Sequence, residues 1–434
     1  MTDKVKVALC WHMHQPYYRD GLDGSYHLPW VYLHAIKDYA DMVAHLESFP
    51  AARVVVNFAP VLLEQLDDYA HQMRQWLQHE TPMHDPLLNL LGGETELPAS
   101  PEARGEIITA CQRAYAPTMI DRHAPYRALV DIALEQYTAG ELDTLRVSYL
   151  RPQFFVDLLM WYHLAWMGES VKRQDFRVEQ LMARKNNFTR VDQRILIEVI
   201  ADVIEGIVPR YRALMEAGQI ELSMTPYGHP IVPLLIDFKV MKQNQPDAQG
   251  PRYKTYPGGM ERSRWHIERG LAVFKDHFGV HPKGVWLSEG GISSEALSLL
   301  DSFNIAWTAS GEGVWRSSCE ASKINPNLLE HKKVLYQPLR HPPHQCVLFF
   351  RDDGLADLIG FQYKDWAAED AARDLCKHLE NIGDFLDQEV GEHVVSIILD
   401  GENAWEYYPD NGYHFLRALY QNLTENNQLQ MVTY

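Results

Sequence analysis

The chain has 434 residues, of which 46% are hydrophobic and 23% charged, a composition that is ordinary for a soluble globular protein. Its 58 acidic and 40 basic residues give a net charge of −18, which argues against nucleic acid or an anionic membrane surface as a partner and suits a neutral substrate. The five cysteines are scattered without a C-x-x-C motif, and neither a signal peptide nor an apolar run of membrane-spanning length is recognisable. We therefore expect a cytoplasmic protein without a disulfide framework, a cysteine-based zinc cluster or a membrane partner.

The first predicted strand covers residues 5–11 and leads directly into two histidines. His12 and His14 are two positions apart, so in an extended chain their side chains point the same way. Such a pair can be two zinc ligands, two hydrogen-bonding groups aimed into a pocket, or an incidental feature of the fold. No H-x-x-x-H or H-x-x-E-H motif follows a predicted strand to offer a further ligand, which makes zinc the weaker of the two functional interpretations.

The first half of the chain is otherwise mostly helical. A helix is predicted over residues 29–49 and a second strand over 53–58, and between about residues 61 and 218 the apolar periodicity is helical with little strand signal. No Gly/Ser-rich linker interrupts this region. We therefore predict one catalytic barrel domain over residues 1–434, with residues 61–218 as a helical insertion packed on it.

The second half alternates strands with helices. A third strand begins at residue 220, and four more are predicted over residues 285–287, 304–308, 347–350 and 394–399. Seven strands joined by helical crossovers predict an α/β fold, a distorted TIM-like (β/α)7 barrel with a helical C-terminal end. No GxGxxG or P-loop fingerprint follows a strand, so a nucleotide cofactor is not expected.

Two carboxylates stand at the ends of predicted strands. Asp400 follows the apolar run of the seventh strand, and Glu289 follows the fourth. In α/β barrels this rim collects catalytic groups, although an aspartate after a strand can also simply cap the next helix. Two acids at two strand ends, with Trp286 and Trp405 beside them, predict a sugar site with paired carboxylates. Glu402 and Glu406 are rival acids near Asp400.

In this order, the strand-end motifs resemble those of glycoside hydrolase family 57, an α-glucan-acting family with a (β/α)7 barrel. The resemblance spans about residues 5–430, and the fourth motif with its following Trp-Glu pair is most similar to the α-amylase/amylopullulanase branch. We find no counterpart of the family's fifth motif, which is rich in Trp and Gly. The four motifs are His14-Gln15-Pro16, residues 218–222 with Thr225-Pro226, Trp286-Leu287-Ser288-Glu289, and Asp400-Gly401-Glu402-Asn403.

The resemblance implies a retaining glycosidase that acts by double displacement on α-1,4-glucans such as starch, glycogen or maltooligosaccharides, with α-1,6 cleavage left open. Glu289 would be the nucleophile and Asp400 the acid/base, with no cofactor or metal needed. Apolar walls from Trp286 and Trp405 would help to keep Asp400 protonated. The expected substrate contacts are His12, His14, Gln15, His229, Trp286, Arg351, Asp353, Glu402 and Trp405.

Three other functions stay open. The first is a 4-α-glucanotransferase or branching-type transglycosylase, because hydrolysis or transfer depends on whether water or a second sugar reaches the intermediate. The second is a non-catalytic glucan-binding relative. The third, which we rank lowest, is a metal-dependent barrel of the deacetylase or mannosidase kind with His12 and His14 as ligands.

Overall fold

The computed structural model describes residues 4–93, 97–253, 255–386, 391–402 and 404–434. Within these residues, seven parallel strands form a closed barrel in which each strand pairs with the next along the chain and the last pairs with the first. The predicted (β/α)7 barrel is thus confirmed. The strands are β1 Val5–Met13, β2 Val54–Phe58, β3 Ile220–Met224, β4 Gly284–Val285, β5 Trp307–Gly311, β6 Val347–Arg351 and β7 Val394–Asp400.

The barrel strands are apolar because both of their faces are covered. Every residue of β2 is buried, and β1 is buried from Val7 onward, as expected for parallel strands with helices outside and side chains inside. The barrel interior is a packed core and not a channel, so the functional site must lie at its rim. Its apolar members are Cys10, Val55, Trp286, Trp307, Ala309, Phe349 and Ile398.

Helices cover the outside of the barrel. None of the helices in the described residues is both long and apolar enough to cross a membrane. The first helix is built of Trp30–His34, the π-helical Ala35–Tyr39 and Ala40–Ser48. Those of the second half are Val232–Ile236, Met241–Asn244, Gly259–Phe278, Ser294–Ser302, Glu312–Ala321, Leu329–Lys332, Asp353–Asp357, the π-helical Leu358–Gln362, Ala368–Leu386 and Tyr413–Glu425.

The region predicted as a helical insertion consists of helices and one small hairpin. Its side chains, among them Leu62, Trp161 and Leu196, belong to the same hydrophobic core as the barrel strands. The division into one domain with an insertion stays a prediction. The helices are Pro60–His79, Pro86–Gly92, Pro101–Ala110, the π-helical Ala116–Ile120, Ala124–Leu134, Thr144–Ser148, Pro152–Trp166, Glu169–Gln174, Phe176–Arg184 and Arg190–Glu216, and the hairpin pairs Tyr137–Thr138 with Glu141–Leu142.

Three strands have boundaries that differ from the sequence prediction by two residues or more. β1 continues to Met13, so His12 lies within the strand and not after it. β4 ends at Val285 because the chain turns at Ser288–Gly290. β5 begins at Trp307, since Asn304 has a positive φ of 56° and belongs to the turn that ends the preceding helix. Short strands also extend the sheet, Leu429–Met431 beside β1 and Leu339–Arg340 beside β6.

Candidate active site

The carboxyl ends of the strands open into a cavity of about 1320 Å³. Glu289 and Asp400, the two predicted catalytic carboxylates, both line it and are both exposed there. The structure therefore brings together two residues that are far apart in the sequence. The other predicted site residues in the lining are His12, His14, Gln15, Trp286, Arg351 and Glu402.

His12 and Asp400 are neighbours on adjacent strands. They are paired in the β1–β7 register, and the Gly401 N–H donates to the His12 carbonyl at 2.7 Å. The Asn57 amide donates to Ser223 Oγ at 2.9 Å, which directs Asn57 Oδ1 toward His12 Nδ1 at 2.8 Å. Nδ1 is therefore the protonated nitrogen, and Nε2 is a buried acceptor without a protein partner.

Electrostatics links His12 to both carboxylates. Burial lowers the pKa of His12, while the negative charges of Asp400 and Glu289 act to raise it. Because both charges act on one imidazole, His12 is close to both catalytic candidates. The result is a neutral ring with a free acceptor nitrogen beside the two carboxylates.

Three histidine rings stack at the edge of this site. The ring centroid of His14 lies 4.0 Å from that of His229 and 5.5 Å from that of His12, and His12 and His229 are 5.1 Å apart. Burial lowers the pKa of His14 to about 3 and that of His229 to about 2, so both rings are neutral at pH 7. We call His12, His14 and His229 the histidine cluster.

His229 is predicted from the sequence as a substrate contact, and the structure adds that its ring stacks with those of His12 and His14. His229 lies in the loop after β3 with a left-handed φ of 55°, and its Nε2 is buried without a protein partner. One ligand nitrogen from each ring lies within 4.8 Å of the others. The cluster can therefore offer sugar hydroxyls several hydrogen bonds, and it is also the group of side chains that could hold a transition metal.

Glu289 is presented by a strained turn. It has φ 57° and ψ 19°, a left-handed conformation that is uncommon for a residue with a side chain. The turn is held by the Gly290 N–H, which donates to the Leu287 carbonyl at 2.8 Å, and by Ser310 Oγ, which donates to the Gly290 carbonyl at 2.6 Å. These bonds fix the strained backbone that exposes the Glu289 carboxylate to the cavity.

Glu402 differs from Asp400 in its surroundings, although only one residue separates them. It is 2% exposed, and its pKa is raised well above the ordinary value by burial and by the charges of Asp400 and Asp38. Burial and the neighbouring acids therefore favour the protonated form of Glu402. Gln15 Nε2 lies 3.5 Å from Glu402 Oε1, and Oε2 has no partner. Asn403, which ends this motif, lies outside the described residues.

Three predicted substrate contacts are absent from the cavity lining: His229, whose ring stacks on that of His14, Asp353 and Trp405. Asp353 accepts a 2.8 Å bond from Arg351 Nε and so positions Arg351, which does line the cavity. Trp405 is 1% exposed, packs edge-on against Trp11 at 5.8 Å, and donates from Nε1 to the Gly401 carbonyl at 2.9 Å. The core takes up the Trp405 ring, and the predicted substrate contact stays a prediction.

The cavity also has walls that sequence reasoning missed. Trp30 and Trp166 lie 5.8 Å apart, and His34 Nδ1 bonds Asp38 Oδ2 at 2.7 Å. These residues come from the first helix and from the end of Pro152–Trp166, where aromatic residues look like ordinary core. What sets this part of the first helix apart is the π-helical segment that follows His34, and the sequence does not reveal that feature. Others are Tyr18, Arg113, Tyr115, Phe361, Lys364 and Tyr407.

Comparison with known proteins agrees with this arrangement. The family model described as glycosyl hydrolase family 57 matches residues 8–434. The chain belongs to this family. The match covers all of the barrel except the first three residues of β1, together with the insertion and all of the strand-end motifs, so the resemblance predicted from four motifs is confirmed. Among curated proteins, no sequence matches the chain.

Solved structures of other family members share the fold. The α-amylase AmyC from Thermotoga maritima has a TM-score of 0.54 and 15% identity, with 99% of this chain and 73% of that chain covered. A branching enzyme from Pyrococcus horikoshii has a TM-score of 0.50 and 13% identity over 99% and 69% of the two chains. A 4-α-glucanotransferase from Thermococcus litoralis has a TM-score of 0.50 and 14% identity over 100% and 40%. At these identities the likeness concerns the fold alone.

Proposed function

We propose that this family 57 member is a retaining α-glucan glycosidase of the amylase type, with Glu289 as nucleophile and Asp400 as general acid/base. One observation carries the assignment: the two exposed carboxylates enter one cavity, and the charges of both act on the buried ring of His12. Paired carboxylates across a glycosidic bond are the chemistry that this hydrolysis requires. We also keep the predicted cytoplasmic location as part of this proposal.

In the first step, Glu289 attacks the anomeric carbon while Asp400 gives its proton to the departing glycosidic oxygen. The bond from the anomeric carbon to that oxygen breaks, and a glycosyl ester of Glu289 forms. In the second step Asp400 removes a proton from a water molecule, whose oxygen displaces Glu289 at the same carbon. Two inversions restore the original anomeric configuration.

The neighbouring groups divide their tasks by charge. His12 Nε2 accepts a hydrogen bond from a sugar hydroxyl, because its other nitrogen already donates to Asn57. Glu402 is buried with a raised pKa, so it contributes a hydrogen-bonding carboxyl beside Asp400. Asp400 is exposed in the cavity, which makes it the carboxyl of this motif that reaches a substrate oxygen.

An α-glucan is the substrate class that the surroundings favour. The similar structures are an α-amylase, a branching enzyme and a 4-α-glucanotransferase. The cavity, about 1320 Å³, is larger than a typical small-molecule pocket of about 300–1,000 Å³, as a chain of several sugar units needs. The net charge of −18 suits a neutral ligand. Transfer to a second sugar, in place of water, is the alternative outcome of the same intermediate.

Product analysis on maltooligosaccharides and pullulan tests this proposal. We expect the parent to shorten or redistribute the chains with retained configuration, and Glu289→Ala and Asp400→Ala to lose turnover. With added azide, Asp400→Ala should give a glycosyl azide of retained configuration and Glu289→Ala one of inverted configuration. Free reducing ends distinguish hydrolysis from transfer. A parent that binds glucan without turning it over would make the protein a glucan-binding relative instead.

A metal-dependent reaction is the second candidate, and the histidine cluster is the observation that favours it. Its three nitrogens are close enough to one another to be considered together as ligands. Metal analysis of the purified protein separates the two candidates. Full glucan turnover after treatment with a chelator supports the carboxylate mechanism. Stoichiometric metal that is lost in His229→Asn together with activity would favour the metal-dependent reaction.

A further inference from the structure

A second pocket of about 440 Å³ is lined by residues adjacent in sequence to residues of the active site. Two loops separate the second pocket from the catalytic cavity. In the first loop, Tyr18 lines the catalytic cavity while its neighbours Tyr17 and Arg19 line the second pocket. In the second loop, Tyr227 lines the second pocket while His229 stacks on His14.

We propose that the second pocket binds an α-glucan segment at a site separate from the catalytic cavity. The inference rests on the proposed function, because it takes the same class of ligand. Its occupant is a neutral stretch of polymer, either a further part of the chain in the active site or a neighbouring branch.

The polar groups of the pocket suit a polyhydroxylated ligand. Asp68 accepts hydrogen bonds from Arg19 Nη1 at 3.1 Å and from the Tyr26 hydroxyl at 2.8 Å, and Glu64 accepts from Tyr227 and Arg269. These bonds hold the carboxylates in place and leave acceptor lone pairs for sugar hydroxyls.

The charge and the aromatic surface exclude other ligands. Three carboxylates and one arginine line the pocket, so it repels phosphates and other anions. The rings of Tyr17 and Tyr227 provide flat apolar surface that matches the faces of a sugar. A neutral saccharide satisfies both requirements.

Aromatic side chains continue the pocket onto the surface. Trp265 is 52% exposed on the helix Gly259–Phe278, and its ring packs edge-on against Tyr227 at 5.4 Å. Tyr17 is 55% exposed on the other loop. A bound glucan would cover these rings, which gives the exposed aromatic surface a function.

The same residues connect the pocket to the active-site loops. Gln65 is buried in the pocket wall, where its side chain accepts from the Tyr18 N–H and donates to the Pro16 carbonyl, both at 3.0 Å. His266 follows Trp265 in the helix. Its backbone carbonyl accepts a hydrogen bond from the Tyr227 N–H at 2.9 Å, and its ring Nδ1 accepts one from the Gly228 N–H at 3.2 Å. A glucan in the pocket would therefore brace the loops that carry His14 and His229.

Binding of polymer without turnover tests the proposal. In a Glu289→Gln background, the retardation of the protein by glycogen in native gels measures affinity for the polymer. We expect Tyr17→Ala combined with Trp265→Ala to raise the dissociation constant about tenfold, as the loss of two aromatic faces should. Tyr17→Phe should keep the affinity. Phe176→Ala is the matched control, because Phe176 is 66% exposed elsewhere on the surface.

Turnover of maltotriose in the active protein separates failure of this inference from failure of the proposed function. We expect the double variant to keep maltotriose turnover and its melting temperature while its KM for glycogen rises. Unchanged glycogen retardation in the double variant, with the parent active on maltotriose, overturns the second site alone. A parent that neither binds nor turns over any α-glucan overturns the proposed function, and this inference with it.

Discussion

The two ends of the barrel each contain a glutamate that is shielded from water, partly buried Glu221 at one end and buried Glu402 at the other, and the two residues have different surroundings. Near the amino end of the strands, Glu221 accepts a 2.7 Å hydrogen bond from Trp307 Nε1. At the opposite rim, Glu402 lies two positions after Asp400 in sequence and keeps one oxygen without a partner. Burial raises the pKa of both carboxyls, but nearby acids raise that of Glu402 further. The amino end is built for packing, whereas the carboxyl end places acidic side chains close together, as a reactive site requires.

The largest effect should come from the two exposed carboxylates. Glu289→Gln and Asp400→Asn remove the nucleophile and the proton donor, so we expect kcat to fall by about 10²–10⁴ or more in each. Because both side chains are exposed, the melting temperature should stay near that of the parent. Kinetics on maltooligosaccharides with thermal denaturation checks this. Near-parental activity in either variant would show that the chemistry lies elsewhere.

Trp307→Ala should lower the stability of the fold and leave kcat nearly unchanged, which is the opposite of the result expected for the two carboxylates. Trp307 is 3% exposed, packs inside the barrel near the amino ends of the strands and donates a hydrogen bond to Glu221. Its loss should therefore lower the free energy of unfolding by about 3–5 kcal/mol. Below the melting temperature, kcat of the folded fraction should change little. Denaturant unfolding with activity assays measures both quantities. A large loss of kcat in fully folded protein would remove the distinction between the two ends.

Glu402→Gln tests whether this buried carboxyl is neutral. Between its ordinary pKa and its raised folded value, the folded protein keeps a proton that the unfolded chain has released, so Glu402 lowers stability as pH rises through that window. The glutamine variant has no such proton. Relative to the parent, its melting temperature should therefore improve from pH 5 to pH 8. A difference between the two proteins that does not vary with pH would contradict the assignment.

The histidine cluster should make the protein sensitive to acid. The folded pKa of His14 is about 3 and that of His229 about 2, both below the ordinary value of 6.5. As pH falls below 6.5, the unfolded chain takes up protons that the folded rings do not, so stability decreases toward pH 3. The loss of melting temperature between pH 7 and pH 5 should be smaller in His229→Asn than in the parent. Equal losses would mean that these rings do not control the effect.

Asp353→Asn should have the smallest effect. It weakens the 2.8 Å ion pair that positions Arg351 without removing a group from the cavity lining. We expect KM to rise about threefold with kcat nearly unchanged, because a partly exposed ion pair is worth at most about 1 kcal/mol. The double variant Arg351→Lys with Asp353→Asn tests whether Asp353 acts only by positioning Arg351. If it does, adding Asp353→Asn to Arg351→Lys should raise KM no further, and a further rise would contradict this role.

The sequence allowed the barrel and the two carboxylates to be predicted because both leave local signals. Apolar runs mark the buried strands, and Asp400 and Glu289 follow such runs directly. The position of Trp405 could not be predicted, since a tryptophan near a motif looks the same whether it faces a ligand or Trp11. The inclusion of His229 in the histidine cluster depends on closure of the barrel and on a left-handed backbone. Neither leaves a local signal in the sequence.

Trapping of the covalent intermediate tests the central claim most directly. A 5-fluoro-α-glucosyl fluoride slows both steps, while its good leaving group lets the first one proceed, so the glycosyl ester accumulates. We predict that peptide mass spectrometry will find one label, on Glu289, and that Glu289→Gln will not be labelled. A label on Asp400, Glu402 or Glu406 would contradict the account, as would turnover of the reagent with inverted configuration and no label.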